Sequence, residues 1–141
     1  MPMKQIKIKL KQTQPGNLPY VVMYHGKHRY RFLIDTGSTS TWIDPQCICQ
    51  FLFEGEISHS RKNEFGEEKQ IFPATLRLKP MNGNFKDFEA PKFRAEFICE
   101  RLTNLDDMNA CIKEPLHGIL GMDFLRDNCM KVDLKNLELI A

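Results

Sequence analysis

The segment Phe32-Leu-Ile-Asp-Thr-Gly-Ser-Thr-Ser-Thr-Trp42 is where this chain is equipped to do chemistry. A carboxylic acid, Asp35, comes directly after three apolar residues and is followed by Thr36, Gly37 and Ser38. A short apolar run rich in branched and aromatic residues, stopped by a glycine, reads as a buried strand. A carboxyl presented at the end of such a strand is suited to general acid or base work. Gly37 lets another backbone approach closely or allows positive φ. The hydroxyls of Thr36 and Ser38 are able to hold the carboxylate in place. The plainer reading of Asp35 is a turn cap at a strand end. A second segment, Gly118-Ile-Leu-Gly-Met-Asp-Phe-Leu125, pairs a short apolar run with a glycine and a helix start.

Other chemistries fit the residues less well. Cys47-Ile-Cys49 lacks the spacing of a structural zinc half-site, even with His59 nearby. No local signature supports a cysteine nucleophile paired with His25 or His117. Ser38 is not in a Gly-x-Ser-x-Gly setting, and no glycine-rich loop with a lysine is present to cradle phosphate. His25 and His28 flank a turn and read as solvated. Asp44, Asp106, Asp107, Asp123, Asp127 and Asp133 read as turn or cap residues.

The elements that must position Asp35 are mostly strands. Ile6, Ile8 and Leu10 alternate with Lys7, Lys9 and Lys11, the period of a half-buried strand. Gln14-Pro-Gly-Asn17 is a turn, and His25-Gly-Lys27 joins Pro19–Tyr24 to Arg29–Ile34. Glu54–Glu68 is polar and suggests a protruding hairpin or loop. Pro73–Leu78 and Phe93–Ile98 alternate as strands, and Asn82-Gly83 marks a tight turn between them. Leu102–Pro115 reads as a loop. Asp123 is placed to cap a brief helix at Phe124–Asn128, and Met130–Ile140 reads as a hairpin turning near Asp133–Asn136.

The chain has 141 residues, 42% hydrophobic and 27% charged, with a net charge of +2. This is the balance of one globular domain, with no general field for nucleic acid or an anionic membrane. No apolar run approaches the ~20 residues needed to span a bilayer. The N-terminus alternates Lys with apolar residues, unlike a secretory signal, and the five cysteines are odd in number and scattered. These features lead us to expect reduced thiols and a cytoplasmic protein.

Phe-Leu-Ile-Asp35-Thr36-Gly37-Ser38 resembles the active-site signature of aspartic proteases. Trp42 lies at the offset where pepsin-like enzymes often carry a tryptophan. Gly118–Leu125 resembles the apolar-apolar-Gly segment and short helix late in a retropepsin protomer. Cys129-Met-Lys-Val-Asp-Leu-Lys-Asn136 resembles the close of retropepsin-like domains in cellular proteins. The resemblance runs in the family's order from the active-site strand to the C-terminus, with the middle third unmatched in detail.

That resemblance implies a single domain over residues 1–141, an all-β, closed retropepsin-like (acid protease) barrel with one short C-terminal helix. It implies an aspartic endopeptidase that acts on peptide or protein substrates and needs no metal or cofactor. The family's chemistry uses two aspartates, and this chain has one Asp-Thr-Gly. The second is therefore expected from another copy, in a homodimer with Asp35 beside the two-fold axis. Thr36 would reach across to the partner, Gly37 would line the substrate channel, and Ser38 would brace the carboxylate. Ile6–Leu10 and Leu137–Ile140 are the candidates for the dimer sheet. A flap is expected within Glu54–Gln70, with Phe65-Gly66 at its tip, although the segment is charged where retroviral flaps are glycine-rich. The alternative is a catalytically inactive module of the same fold, kept for dimerisation or peptide binding.

Overall fold

The computed structural model describes residues 6–47, 60–63, 65–78, 83 and 90–141. Its strands are Lys7–Lys9 (β1), Lys11–Gln12 (β2), Pro19–His25 (β3), His28–Ile34 (β4), Thr41–Ile43 (β5), Ser60–Lys62 (β6), Glu68–Leu78 (β7), Lys92–Cys99 (β8), Gly118–Leu120 (β9), Lys131–Asp133 (β10) and Glu138–Ile140 (β11). Two α-helices, Thr103–Asn109 (α1) and Met122–Asp127 (α2), flank β9.

Strands β3, β4, β9, β5, β8 and β7 are hydrogen-bonded in that order, and β7 returns to β3 through Met23↔Leu78 and Tyr24↔Arg77. The sheet thus closes on itself, which is the all-β closed barrel expected from the sequence. Closure removes the open edges that a flat sheet would expose. The β4–β9 and β5–β8 pairs are parallel and the remaining pairs of the ring are antiparallel.

Why these residues form strands is visible in their burial. Along β3, Val21 and Met23 enter the main core with Phe32, Leu76 and Phe97, whereas Tyr20 and Val22 join a second cluster with Leu33, Trp42 and Ile119. Both faces of β3 are buried, so it reads as an unbroken apolar run rather than an alternation. Phe32 and Phe97 stack inside the barrel with centroids 5.6 Å apart. The β3–β4 hairpin turns at Gly26, whose φ of +62° suits the first position of a two-residue turn.

Several expectations change. β7 begins at Glu68, well before Pro73. It tolerates Pro73 because the strand's second edge is paired at 68–70 by β6 and at 77–78 by β3, leaving Pro73 between them. The segment expected as a loop carries α1. His25 is buried, with Nδ1 3.1 Å from the Thr75 carbonyl oxygen. The Asn82-Gly83 turn falls outside the described residues except for Gly83, which bridges to Ile8.

β1, β11 and β10 form a separate three-stranded sheet, in that order. β11 lies in the middle with both edges occupied by its own chain. Leu137–Ile140 therefore has no free edge to offer a dimer sheet, and the other edge of β1 meets Gly83. Among the described residues, the outer edge of β10 is unpaired.

Helix α2 starts two residues earlier than expected, with Gly121 rather than Asp123 at the capping position. It ends in a Schellman motif: Cys129 N–H donates to the Arg126 carbonyl and Met130 N–H to the Leu125 carbonyl, with Cys129 at φ +53°.

Candidate active site

Asp35 sits one residue past β4. Its N–H donates to the Leu120 carbonyl at 3.1 Å, which carries the β4–β9 ladder one step beyond the strands. The chain then turns back, with Ser38 N–H donating to the Asp35 carbonyl at 3.2 Å. Asp35 is partly exposed, and its Oδ1 accepts the Gly37 N–H at 2.9 Å. A Cβ on Gly37 would lie 3.2 Å from that same oxygen, so glycine suits the tight loop. Thr36 and Gly37 are exposed. Ser38 is buried and takes a different partner from the one expected: its hydroxyl donates to the Ser40 carbonyl at 2.8 Å, bracing the loop rather than the carboxylate.

The two sequence segments singled out above meet here. The N-terminus of α2 leaves free N–H groups, as every helix start does. Met122 N–H donates to the Ser38 carbonyl at 2.8 Å and Asp123 N–H to the Thr39 carbonyl at 3.3 Å. Contact is so close that a Cβ on Gly121 would fall 2.1 Å from the Ser40 carbonyl oxygen. One on Gly118 would fall 2.3 Å from that of Trp42. Both glycines are required by backbone passing backbone.

Thr41 completes the clamp. Its Oγ1 accepts the Gly121 N–H at 3.0 Å and donates to Asp123 Oδ1 at 2.6 Å. Phe124 N–H also donates to Asp123 Oδ1, at 2.7 Å. Asp123 is only 9% exposed, and burial pushes its pKa up against the opposing pull of the Thr41 hydrogen bond. Arg61 on β6 reaches 4.0 Å from Asp123 Oδ2 and pairs with Glu96 at 2.7 Å. Sequence reasoning gave Asp123 a capping role and missed Thr41 and Arg61. An ordinary Thr and Arg carry no local signal of partners so distant in the sequence.

Phe65 and Gly66 lie at the tip of the β6–β7 hairpin. Asn63 Oδ1 accepts the N–H groups of Phe65 at 2.9 Å and Glu67 at 3.0 Å, and Gly66 takes φ +77°. Phe65 is 77% exposed. It lines the same cavity as Asp35, a space of about 540 Å³. The rest of the segment expected to form a flap is described only at 60–63 and 65–70.

The far wall of this cavity is the start of α1. Leu102, Thr103, Asn104 and Met108 line it together with Trp42, Ile119 and Arg101. α1 has no side-chain cap. It is held by Leu105, buried in the second cluster, and by a reciprocal pair of bonds between the Asn109 side chain and the Leu116 backbone at 2.8 and 2.7 Å. Sequence reasoning missed this wall because Thr-Asn-Leu-Asp-Asp-Met-Asn has one buried anchor and no apolar period.

Among the described residues, no cluster of His, Cys, Asp or Glu has the makings of a metal site, and Cys47, Cys99, Cys111 and Cys129 are free thiols. No helix among them is long and apolar enough to cross a membrane.

No family model matches the chain, and no curated protein sequence does. Among solved structures, it is similar to the crystal structure of a retropepsin-like aspartic protease from Rickettsia conorii. The identity is 14% and the TM-score 0.49, over 99% of this chain and 94% of that one.

Proposed function

We propose that this chain is an aspartic endopeptidase whose catalytic pair is assembled from two copies, each contributing Asp35. The observation that carries this reading is the placing of Asp35. Its carboxyl is presented by a hydrogen-bonded turn at the end of a buried strand, beside a cavity that an exposed hairpin tip also lines.

One carboxylate, as general base, takes a proton from a water whose oxygen attacks the peptide carbonyl carbon. The other, protonated, donates a hydrogen bond to the carbonyl oxygen as negative charge develops there. Collapse of the tetrahedral intermediate breaks the C–N bond, and the amine leaves with a proton returned from the pair. Carboxyls ~3 Å apart resist double ionisation, so one shared proton is the working state. Gly37, exposed beside Asp35, is available to contact substrate backbone, and Thr36 to contact the second copy. No metal or cofactor enters these steps.

A two-fold assembly supplies the second carboxyl because it places like residues opposite each other. The outer edge of β10 supports one route to it. Antiparallel pairing of Lys131-Val132-Asp133 with itself about Val132 sets Lys131 against Asp133 of the second copy, an opposite-charge pair across strands.

The test is cleavage of an unfolded protein from acidic to neutral pH by the wild type and Asp35→Asn, with sedimentation of both. The proposal expects dimers of both, with cleavage lost in the variant. Undiminished cleavage by Asp35→Asn would overturn the assignment. A stable dimer that cleaves nothing would point to the non-catalytic peptide-binding module instead.

A further inference from the structure

We infer that Arg101 is a specificity-determining residue, and that the cleft beside Asp35 takes peptides carrying an acidic side chain close to a large apolar one. This rests on the reading of that cavity as the peptide cleft.

Two kinds of surface meet in the cavity. Trp42 and Ile119 come from the barrel, and Leu102 and Met108 from the α1 segment, giving an apolar floor and wall. Among the described residues lining it, Asp35 and Arg101 are the charged ones. Arg101 is therefore the positive group that a ligand side chain in this space would meet. Its side chain is 78% exposed and accessible. Its Nε donates to Asp106 Oδ2 at 2.5 Å, which pairs one edge of the guanidinium with α1. A guanidinium has five N–H donors in a planar fork, so one engaged edge leaves the other able to receive a carboxylate in the bidentate manner.

Two negative groups act on Arg101 and offset part of its charge. Asp106 is the direct partner, and Asp44 acts on Arg101 only as the weakest of the influences on it. Arg101 stands two residues before α1, which is anchored through Leu105 and through Asn109 to Leu116. A charge paired with an anchored helix discriminates between ligands better than one on a free loop, since less ordering is lost on binding.

The chain has a single tryptophan, Trp42, and it lines the cavity. Its fluorescence therefore reports occupancy without requiring cleavage. The experiment titrates uncleavable reduced-amide peptides that share an apolar pair and differ in one flanking residue, Glu, Gln or Lys, placed in turn at each position. With the wild type, the Glu peptide should bind about 3- to 10-fold tighter than its Lys counterpart at the favoured position, and the margin should shrink with added salt. Arg101→Glu should invert the order, and Arg101→Lys should keep it with a smaller margin. Equal binding of the Glu and Lys peptides, an order unchanged in Arg101→Glu, or no binding of any peptide would each overturn the inference. A Glu preference that inverts on substitution, in a protein that cleaves nothing, would leave the inference standing while the endopeptidase reading fails.

Discussion

Thr41 and Asp123 lie 82 residues apart in the sequence, and the hydroxyl of the first donates to the carboxyl of the second at 2.6 Å. The same hydroxyl accepts the Gly121 N–H. This atom joins the loop after Asp35 to the helix after β9, which are the two most informative segments of the sequence.

Removing that hydroxyl should be costly for its size. Thr41→Val keeps the side-chain shape but leaves the Gly121 N–H without its partner and removes one of the two hydrogen bonds to Asp123 Oδ1. Orphaned buried polar groups cost ~1–3 kcal/mol, and we expect a loss in that range in urea denaturation. Asp123→Asn should cost less than Asp123→Ala, since the amide oxygen still accepts from Thr41 and Phe124. Equal losses for the two Asp123 variants would show that its hydrogen bonds contribute nothing.

The glycine at 121 makes a sharper prediction. The added methyl of Gly121→Ala would meet three backbone atoms of residues 38 and 40 at 2.1 to 2.8 Å. No rotamer relieves a backbone clash, so the loop or the helix must move. We expect a stability loss of at least ~2 kcal/mol, together with loss of cleavage as Asp35 is displaced. Gly26→Ala is the control: a Cβ there meets nothing within 4 Å, though its φ of +62° still carries a backbone penalty of about 1 kcal/mol. Thermal melts of the two variants should differ clearly.

How much of this was legible in the sequence depends on the range of the interaction. Alternation placed β1, the second half of β7 and β8, because a strand with one wet face repeats every two residues, and turn signals placed the β3–β4 and terminal hairpins. Asp35 and Gly37 stood out because their spacing is local. What closed the barrel was not legible, since pairings such as Met23↔Leu78 join segments with no shared local pattern. Helix α1 was missed because its stability comes from Leu105 and Asn109 reaching other elements rather than from its own sequence. The Ser38 hydroxyl, expected on the Asp35 carboxylate, donates to the Ser40 carbonyl instead, a choice between nearby acceptors that the sequence does not display. Thr41 was passed over as one hydroxyl among four in Ser38-Thr-Ser-Thr41.

The end of α2 offers a stabilising change. Cys129 occupies the left-handed position of the Schellman motif at φ +53°, where a side chain is strained and glycine is not. The residue is exposed, so little packing is lost. Cys129→Gly should raise stability by ~0.5–1 kcal/mol, read as a higher urea midpoint with an unchanged slope. Cys129→Ala, which keeps the strain, should not.

We expect His117 to contribute to the response to acid. Its ring accepts the Arg31 N–H at Nδ1, 2.9 Å away, and lies edge-on to Tyr30 with centroids 5.4 Å apart. Burial, and then the Arg31 charge, hold its pKa down to about 4, against a smaller opposing pull from Asp44. The unfolded chain, with an ordinary histidine near 6.5, binds the proton more readily than the folded one. This contribution to stability is therefore complete above pH ~6.5 and is lost as pH falls toward about 4. Partial solvent contact of the ring reduces its size to ~1–2 kcal/mol. Asp123 works in the opposite sense, since burial raises its pKa and favours its protonated form in the fold. Urea midpoints measured between pH 7.5 and 4.5 should fall with pH in the wild type. In His117→Asn, whose side-chain oxygen can replace Nδ1 as acceptor but does not titrate, stability should be lower at pH 7.5 and the slope flatter. A wild-type slope retained in full by that variant would move the pH sensitivity to another group. The expected slope sets neutral pH as the condition in which the fold is firmest.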